Sequence, residues 1–191
     1  AQQKSRHQTE SARLLRLRAG LSNPSLFQGQ VNHSTVDNRP SSLFLRAVKN
    51  NPSSPIDPAT LQAYRETAYR VLAPPPFALR IGQPSAELLA RHRRRGVACS
   101  AFITACNPHS WPVSEEANAQ RQAELAQELT RRGLAFEPGI GQHPSNDWPG
   151  EPSWLVHGLA LEAARRLGGR WEQNAVVWSG ADGMPQLILL R

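Results

Sequence analysis

The sequence predicts an α/β or α+β fold, with a single mixed, mostly parallel sheet, helices packed on it and a C-terminal hairpin. Two observations lead to this prediction. From Asp57 onward, apolar segments of strand length alternate with helical segments of about ten to twenty residues, which is the pattern of βαβ units. Near the end, two apolar segments flank the turn Ala181-Asp182-Gly183, which is typical of an antiparallel hairpin.

The first elements have recognisable start and stop signals. Asp57 is a good N-cap, Pro58 suits the first helical position, and apolar residues recur at helical spacing until the prolines at 74–76. Ser85 is the N-cap of a shorter helix that continues through Arg94. Apolar alternation and apolar content predict strands at 77–81 and 97–106.

A long helix is predicted from Ser114 to about Arg132, and Gly133 closes it. The elements that follow are shorter. In chain order they are a strand at 135–140, a Gly/Pro-rich loop at 141–152, a short strand at 154–156, a helix at 159–167 ended by Gly168-Gly169, and the hairpin strands at 171–179 and 185–190.

The positive charge of the chain is concentrated in its first segment. The formal net charge is +7, and residues 1–55 hold eight basic and two acidic residues, so +6 of it lies there. That segment has no Trp or Tyr and is rich in Ser, Asn, Gln and Arg, a composition that favours disorder. We expect a disordered tail or upstream extension at 1–55 and a single globular domain at 56–191.

Several classes of protein are excluded by missing motifs. The chain has no apolar stretch of the roughly 20 residues that a membrane-spanning helix needs. Residues 56–191 contain no lysine, which excludes a P-loop lysine and Schiff-base chemistry, and they carry no metal-ligand motif of standard spacing. The two cysteines are not placed for a disulfide, so we expect a cytoplasmic protein. Because the motifs named above are missing, we also expect no cofactor and no metal.

A polar cluster lies where the second strand runs into the long helix. Leu125 and Leu129 mark the buried stripe of that helix, and Asn118, Arg121 and Gln122 continue the stripe toward its N-terminus. The loop before the helix adds Asn107 and Ser110 at a strand end, where open α/β sheets tend to bind ligands.

Two interpretations of this cluster remain open. In the first, Asn107, Ser110, Asn118 and Arg121 line a pocket, and the guanidinium binds a carboxylate or phosphate. In the second, the asparagines satisfy loop backbone and Arg121 pairs with a buried glutamate.

Glu151 is the candidate catalytic residue, because it lies between two tryptophans and two prolines in Trp148-Pro-Gly-Glu-Pro-Ser-Trp154. Such surroundings raise the pKa of a carboxyl and suit a general acid or base, although Glu151 could equally be the partner of Arg121. Gln173 and Asn174 enter an apolar strand and are either ligand contacts or anchors for the Glu151 loop.

Several separated blocks of residues 56–191 resemble a bacterial family known as the domain of unknown function 3293. They are residues 64–69, Ile103-Thr-Ala-Cys-Asn-Pro108, residues 114–118 with Arg121, residues 148–153 ahead of Val156 and Gly158, and Gln173-Asn-Ala175. The resemblance implies a domain that starts near Pro55, and it implies no activity because the family is uncharacterised.

The sequence leaves two hypotheses for function and does not decide whether the protein is an enzyme. The first is a cytoplasmic domain that binds or acts on a small anionic or nucleotide-like ligand in a polar pocket. The second is a protein or RNA interaction module that uses the basic tail and the run Arg91–Arg95. We expect no membrane partner, and the sequence leaves the oligomeric state open.

Overall fold

The computed structural model describes residues 56–191, and the expected disordered tail at 1–55 lies outside the described residues. The helices of the described part are α1 Pro58–Glu66, α2 Ala86–Arg95, α3 Glu115–Arg131 and α4 Leu161–Arg170. Its strands are β1 Ala68–Val71, β2 Phe77–Leu79, β3 Ser100–Ile103, β4 Phe136–Gln142, β5 Glu151–His157, β6 Ala175–Ser179 and β7 Pro185–Leu189.

The prediction of a mostly parallel sheet is wrong. The seven strands form one curled sheet in the order β2-β1-β4-β5-β3-β6-β7, and every neighbouring pair is antiparallel. The expected C-terminal hairpin is present as the pair β6 and β7, joined through a turn with Gly183 at a φ of +65°.

The error has a topological cause. Helix α3 joins β3 to β4 and helix α4 joins β5 to β6, and the two strands of each pair run in the same direction. In each case one antiparallel strand lies between them: β5 separates β3 from β4, and β3 separates β5 from β6. This is the split βαβ arrangement of the ferredoxin-like fold. The strand–helix–strand pattern is therefore present in the chain, but the joined strands are not neighbours.

The expected helix caps are confirmed, whereas one helix is shorter than predicted. The hydroxyls of Ser85 and Ser114 accept hydrogen bonds from backbone N–H groups in the first turns of α2 and α3. Helix α1 ends at Glu66, because Thr67 has extended backbone (φ −58°, ψ 136°) and its hydroxyl donates to the carbonyl of Ala63. The residues expected to continue α1 form strand β1 instead.

The two faces of the sheet are covered differently. On one face, α3 and α4 pack over an apolar cluster, with Leu125, Leu129 and Leu167 fully buried. On the other, a second cluster contains Val71, Leu79, Leu88, Phe102, Leu155 and Val177, and α2 contributes Leu88 to it. No helix within residues 56–191 has the length and apolar character required to cross a membrane.

Candidate functional site

A cavity of about 240 Å³ lies on the sheet face opposite α3 and α4, next to helix α1. Its aromatic wall contains Phe102 and Tyr69, whose rings meet edge to face at 5.5 Å. Gly139 makes room for this wall, since a Cβ atom there would lie 2.5 Å from the Phe102 ring. The remaining lining residues are Thr60, Ala63, Tyr64, Thr67, Thr104, Asn107, Ser110, Gly141, His143, Asn146, Trp148, Glu151, Ser153, Gln173, Ala175, Val176 and Val177.

Glu151 is the acidic residue of the cavity wall. One carboxylate oxygen, Oε1, accepts hydrogen bonds from Asn107 Nδ2 at 2.6 Å and from the indole N–H of Trp148 at 3.0 Å. Among the described residues, the second oxygen, Oε2, has no hydrogen-bond partner. Burial raises the pKa of Glu151, and the hydrogen bonds from Asn107 and Trp148 oppose that rise. The carboxyl could therefore accept or hold a proton within the cavity.

Asn118 of helix α3 fixes the position of Asn107. Its backbone N–H donates to Asn118 Oδ1 at 2.8 Å, and Asn118 Nδ2 donates to Asn107 Oδ1 at 2.9 Å. Gln122 accepts from the N–H of Ala105 at 2.9 Å in the same way. Asn107 therefore presents its amide to Glu151 from a fixed position, and Asn118 acts on the cavity through Asn107.

Arg121 lies behind the same loop. Its guanidinium donates to the carbonyls of Ala105 at 2.7 Å and Trp171 at 3.1 Å, and it pairs with Glu172 at 3.3 Å. It also stacks over the Trp171 ring, 5.6 Å from the centroid. Within residues 56–191, neither Arg121 nor Asn118 is part of the cavity wall. The carboxylate partner of Arg121 is thus Glu172, and not Glu151.

The loop from Asn107 to Ser110 has an unusual backbone. Asn107, His109 and Ser110 have φ values of 46°, 53° and 61°, which side-chain-bearing residues rarely adopt. The N–H of His109 donates to the carbonyl of Glu172 at 2.6 Å, and Glu172 itself has a φ of 57°. Such conformations persist only where surrounding contacts impose them, and here they direct Asn107 and Ser110 to the cavity.

Gln173 and Asn174 differ in their relation to the cavity. Gln173 lines it, and its amide donates to the carbonyls of Cys106 and Trp171. Asn174 is buried, and its Nδ2 donates to Tyr64 Oη at 3.0 Å and Ser110 Oγ at 3.1 Å. Ser110 Oγ and Tyr64 Oη are 2.6 Å apart, and both residues line the cavity.

The structure therefore divides the predicted site residues into two groups. Asn107, Ser110, Glu151 and Gln173 meet in the cavity wall, and Asn118 and Asn174 bond to members of that wall. Arg121 bonds to Ala105, Trp171 and Glu172, which do not line the cavity. The cavity also contains residues of α1, β1 and β3 that the sequence did not indicate, among them Tyr64, Tyr69 and Phe102. The alternation of β3, which places Phe102 and Ile103 on opposite faces, was the signal that could have indicated Phe102.

His143 also lines the cavity and has structural partners. His143 Nε2 lies 3.0 Å from Glu66 Oε2, and its Nδ1 accepts from the N–H groups of Ser145 and Asn146, so the proton resides on Nε2. Within the part of the chain that the structure describes, no group of three or more His, Cys, Asp or Glu side chains is placed to hold a metal ion.

The basic run Arg91–Arg95 is not a uniformly solvated face. Arg91 is buried and pairs with Glu137, and Arg95 pairs with the same carboxylate at 2.7 Å. Arg93 and Arg94 remain exposed.

Residues 56–191 thus define a split βαβ domain with a part-polar cavity on one sheet face. Residues 103–176 match a family described as Protein of unknown function (DUF3293), and the expected resemblance to that family is confirmed over this span. The matched span includes Asn107, Ser110 and Glu151. No curated protein and no solved structure gives a significant match to the chain.

Proposed function

We propose that this domain binds a small organic molecule in the cavity, with an apolar ring against Phe102 and Tyr69 and a cationic or hydrogen-bond-donating group at Glu151. The observation that carries the proposal is an open cavity whose wall combines this aromatic pair with a carboxylate, one oxygen of which has no hydrogen-bond partner within residues 56–191. Mostly apolar walls with a few convergent polar groups are typical of small-molecule sites.

The charge of the wall favours this class of ligand over the anion expected from the sequence. That expectation depended on Arg121, whose guanidinium is occupied by two carbonyls and by Glu172 outside the cavity. Within residues 56–191, the cavity wall contains no arginine or lysine. A carboxylate or phosphate would therefore approach Glu151 without a compensating cation, which costs free energy in a partly buried site.

Benzylamine, benzyl alcohol and benzoate share one ring and differ in charge, so they test the proposal directly. We expect binding to the full chain to weaken in the order benzylamine, benzyl alcohol, benzoate, measured by titration calorimetry or NMR shifts. Glu151→Gln should weaken benzylamine about ten-fold, because an amide replaces a charged acceptor, and should leave benzyl alcohol nearly unchanged.

The matched control is Glu124→Gln, which removes the same charge from an exposed position on α3. It should leave all three affinities unchanged. The proposal is wrong if benzoate binds most tightly, or if Glu124→Gln weakens benzylamine as much as Glu151→Gln does. Because the pKa of Glu151 is raised, benzylamine affinity should already decline at a pH above the ordinary carboxyl range as the carboxyl gains its proton.

A further inference from the structure

Two hydroxyls and one amide meet at the wall of the cavity. Tyr64 from α1 and Ser110 from the loop before α3 bring their oxygens within 2.6 Å, and Asn174 before β6 donates to both. The three residues are far apart in sequence and come from three different parts of the fold. We call Tyr64 and Ser110 the hydroxyl pair.

A count of the donor hydrogens shows that the hydroxyl pair can donate one hydrogen bond to a ligand. The two hydrogens of Asn174 Nδ2 are used by the two oxygens, and the bond between the hydroxyls uses one of their own two hydrogens. One hydroxyl hydrogen is left over. Both residues line the cavity, and no other acceptor among the described residues bonds to either hydroxyl.

The count depends on the orientation of the Asn174 amide. As placed, Nδ2 donates to both hydroxyl oxygens, and Oδ1 is a buried acceptor without a partner among the described residues. A reversed amide would accept from both hydroxyls and leave no spare hydrogen, so the affinity ratios described below also test this orientation.

We propose that the hydroxyl pair is a donor subsite that binds an acceptor oxygen, such as a carbonyl, of the ligand whose cationic group is held by Glu151. This inference rests on the proposed function and specifies its ligand class as an arylalkylamine, such as a benzylamine, that also carries a carbonyl. The hydroxyl pair and Glu151 are connected through one loop, since Ser110 N–H donates to the Asn107 carbonyl at 2.8 Å and Asn107 Nδ2 donates to Glu151.

The size of the cavity fits such a ligand. An apolar protein cavity of roughly 150 Å³ holds benzene. In proportion, about 240 Å³ accommodates a ligand of about ten non-hydrogen atoms, which corresponds to one ring with two small substituents. Benzylamines that carry a single carboxamide are of this size.

The test compares 3-(aminomethyl)benzamide with 3-isopropylbenzylamine, in which an isopropyl group replaces the carboxamide at similar volume. Relative affinities are measured for the full chain and for Tyr64→Phe, Ser110→Ala and the double variant. Replacing both hydroxyls should weaken the carboxamide by about five-fold relative to the isopropyl compound, as expected for one net hydrogen bond. Each single variant should lose less, because the remaining hydroxyl still accepts from Asn174 and keeps its own hydrogen.

Ser145→Ala is the matched control, since it removes an exposed hydroxyl that does not line the cavity. It should leave the ratio of the two affinities as in the original protein. Retained binding of benzylamine by the double variant shows that its fold and the Glu151 subsite are intact.

The possible outcomes separate this inference from the proposed function. If benzylamine binds through Glu151 but the affinity ratio is the same in the double variant as in the original protein, the donor subsite is refuted and the proposed function stands. If a single variant abolishes the whole preference, the count of hydrogens is wrong. If no amine binds at all, the proposed function fails and this inference fails with it.

Discussion

Glu137 in β4 is a buried acidic residue with three side-chain partners. Its carboxylate accepts from Arg91, from Arg95 at 2.7 Å and from His157 Nε2 at 3.1 Å. Arg91 also donates to the carbonyls of Ala73 and Pro75, so the loop between β1 and β2 depends on the same cluster. Burial acts to raise the pKa of Glu137, but the hydrogen bond from Arg95 and the charge of Arg91 hold it below its usual value.

Removing this charge should destabilise the protein strongly. Glu137→Gln leaves the buried guanidinium of Arg91 without a counter-ion, and breaking a buried pair from one side costs about 3 to 5 kcal/mol. Urea denaturation of the full chain measures the change in the free energy of unfolding. Glu162→Gln is the control, because its pair with Arg165 is exposed and such pairs contribute about 0 to 1 kcal/mol. Equal effects of the two variants would contradict a structural role for Glu137.

Asn118 and Arg121 show which part of the candidate site can be predicted from the sequence. The helical stripe indicated that these side chains turn toward the loop before α3, and they do bond to it. The stripe could not indicate on which side of that loop the cavity lies. That depends on Tyr64 and Phe102, which reach the cavity from elements distant in sequence.

Among the elements, helix α4 extends beyond the end that its sequence pattern indicates. Gly168 and Gly169 were expected to end it, but the helix runs through both to Arg170. Gly168 is required by packing, since a Cβ atom there would lie 2.6 Å from Val176 Cγ1 and 2.7 Å from Leu190 Cδ1. Gly169 has open space around it. Local propensity indicates that Gly168 ends the helix, but packing against β6 explains why a glycine is required at this position within it.

The two adjacent glycines allow a matched prediction. Gly168→Ala should destabilise the domain by about 1 to 3 kcal/mol, because the new methyl group overpacks the contact between α4 and β6. Gly169→Ala should be neutral or stabilising by up to about 1 kcal/mol, since alanine favours the helix and contacts nothing. Thermal unfolding of both variants provides the comparison. A stabilising Gly168→Ala would show that α4 is not packed against β6 as described.

Strand order is the part of the fold that the elements alone could not predict. The capped helices α2 and α3 were located correctly because Ser85 and Ser114 mark their starts within the chain itself. The direction and neighbours of β5 depend on pairing with β3 and β4, which lie far apart in sequence. An inserted antiparallel strand leaves the local pattern of a βαβ unit unchanged, so periodicity favours a parallel sheet that the chain does not form.

For the molecule as a whole, buried titratable groups determine how stability depends on pH. Burial, with the nearby charge of Arg95, lowers the pKa of His157 to about 4, and burial also lowers the pKa of His92. The groups facing His157 are Glu137, Arg95 and His92, and the attraction of Glu137 is too weak to reverse the shift. Both histidines are therefore neutral in the folded protein at pH values where the unfolded chain binds a proton.

The sign of the pH dependence follows from this difference in bound protons. Between pH 6.5 and about 4 the unfolded state holds more protons at His157, so the free energy of unfolding should fall as the pH is lowered, by about 1.4 kcal/mol per pH unit for that residue. Because the pKa of Glu137 is lowered, this residue adds to the loss of stability at pH values below the ordinary range of carboxyl titration. The pKa of Glu151 is raised, so its protonation on acidification favours the folded state instead.

His157→Gln isolates the contribution of this histidine, because glutamine can still donate to Glu137 but does not titrate. Urea denaturation at several pH values should show a slope between pH 6.5 and 4 that is smaller by about one proton than in the original protein. The comparison cancels the contribution of Glu151, which both proteins share, and Glu137 contributes only below the ordinary carboxyl range. An unchanged slope would mean that His157 binds its proton equally in the folded and unfolded states. In that case the residues that face it, Glu137, Arg95 and His92, and its burial would not disfavour its charged form.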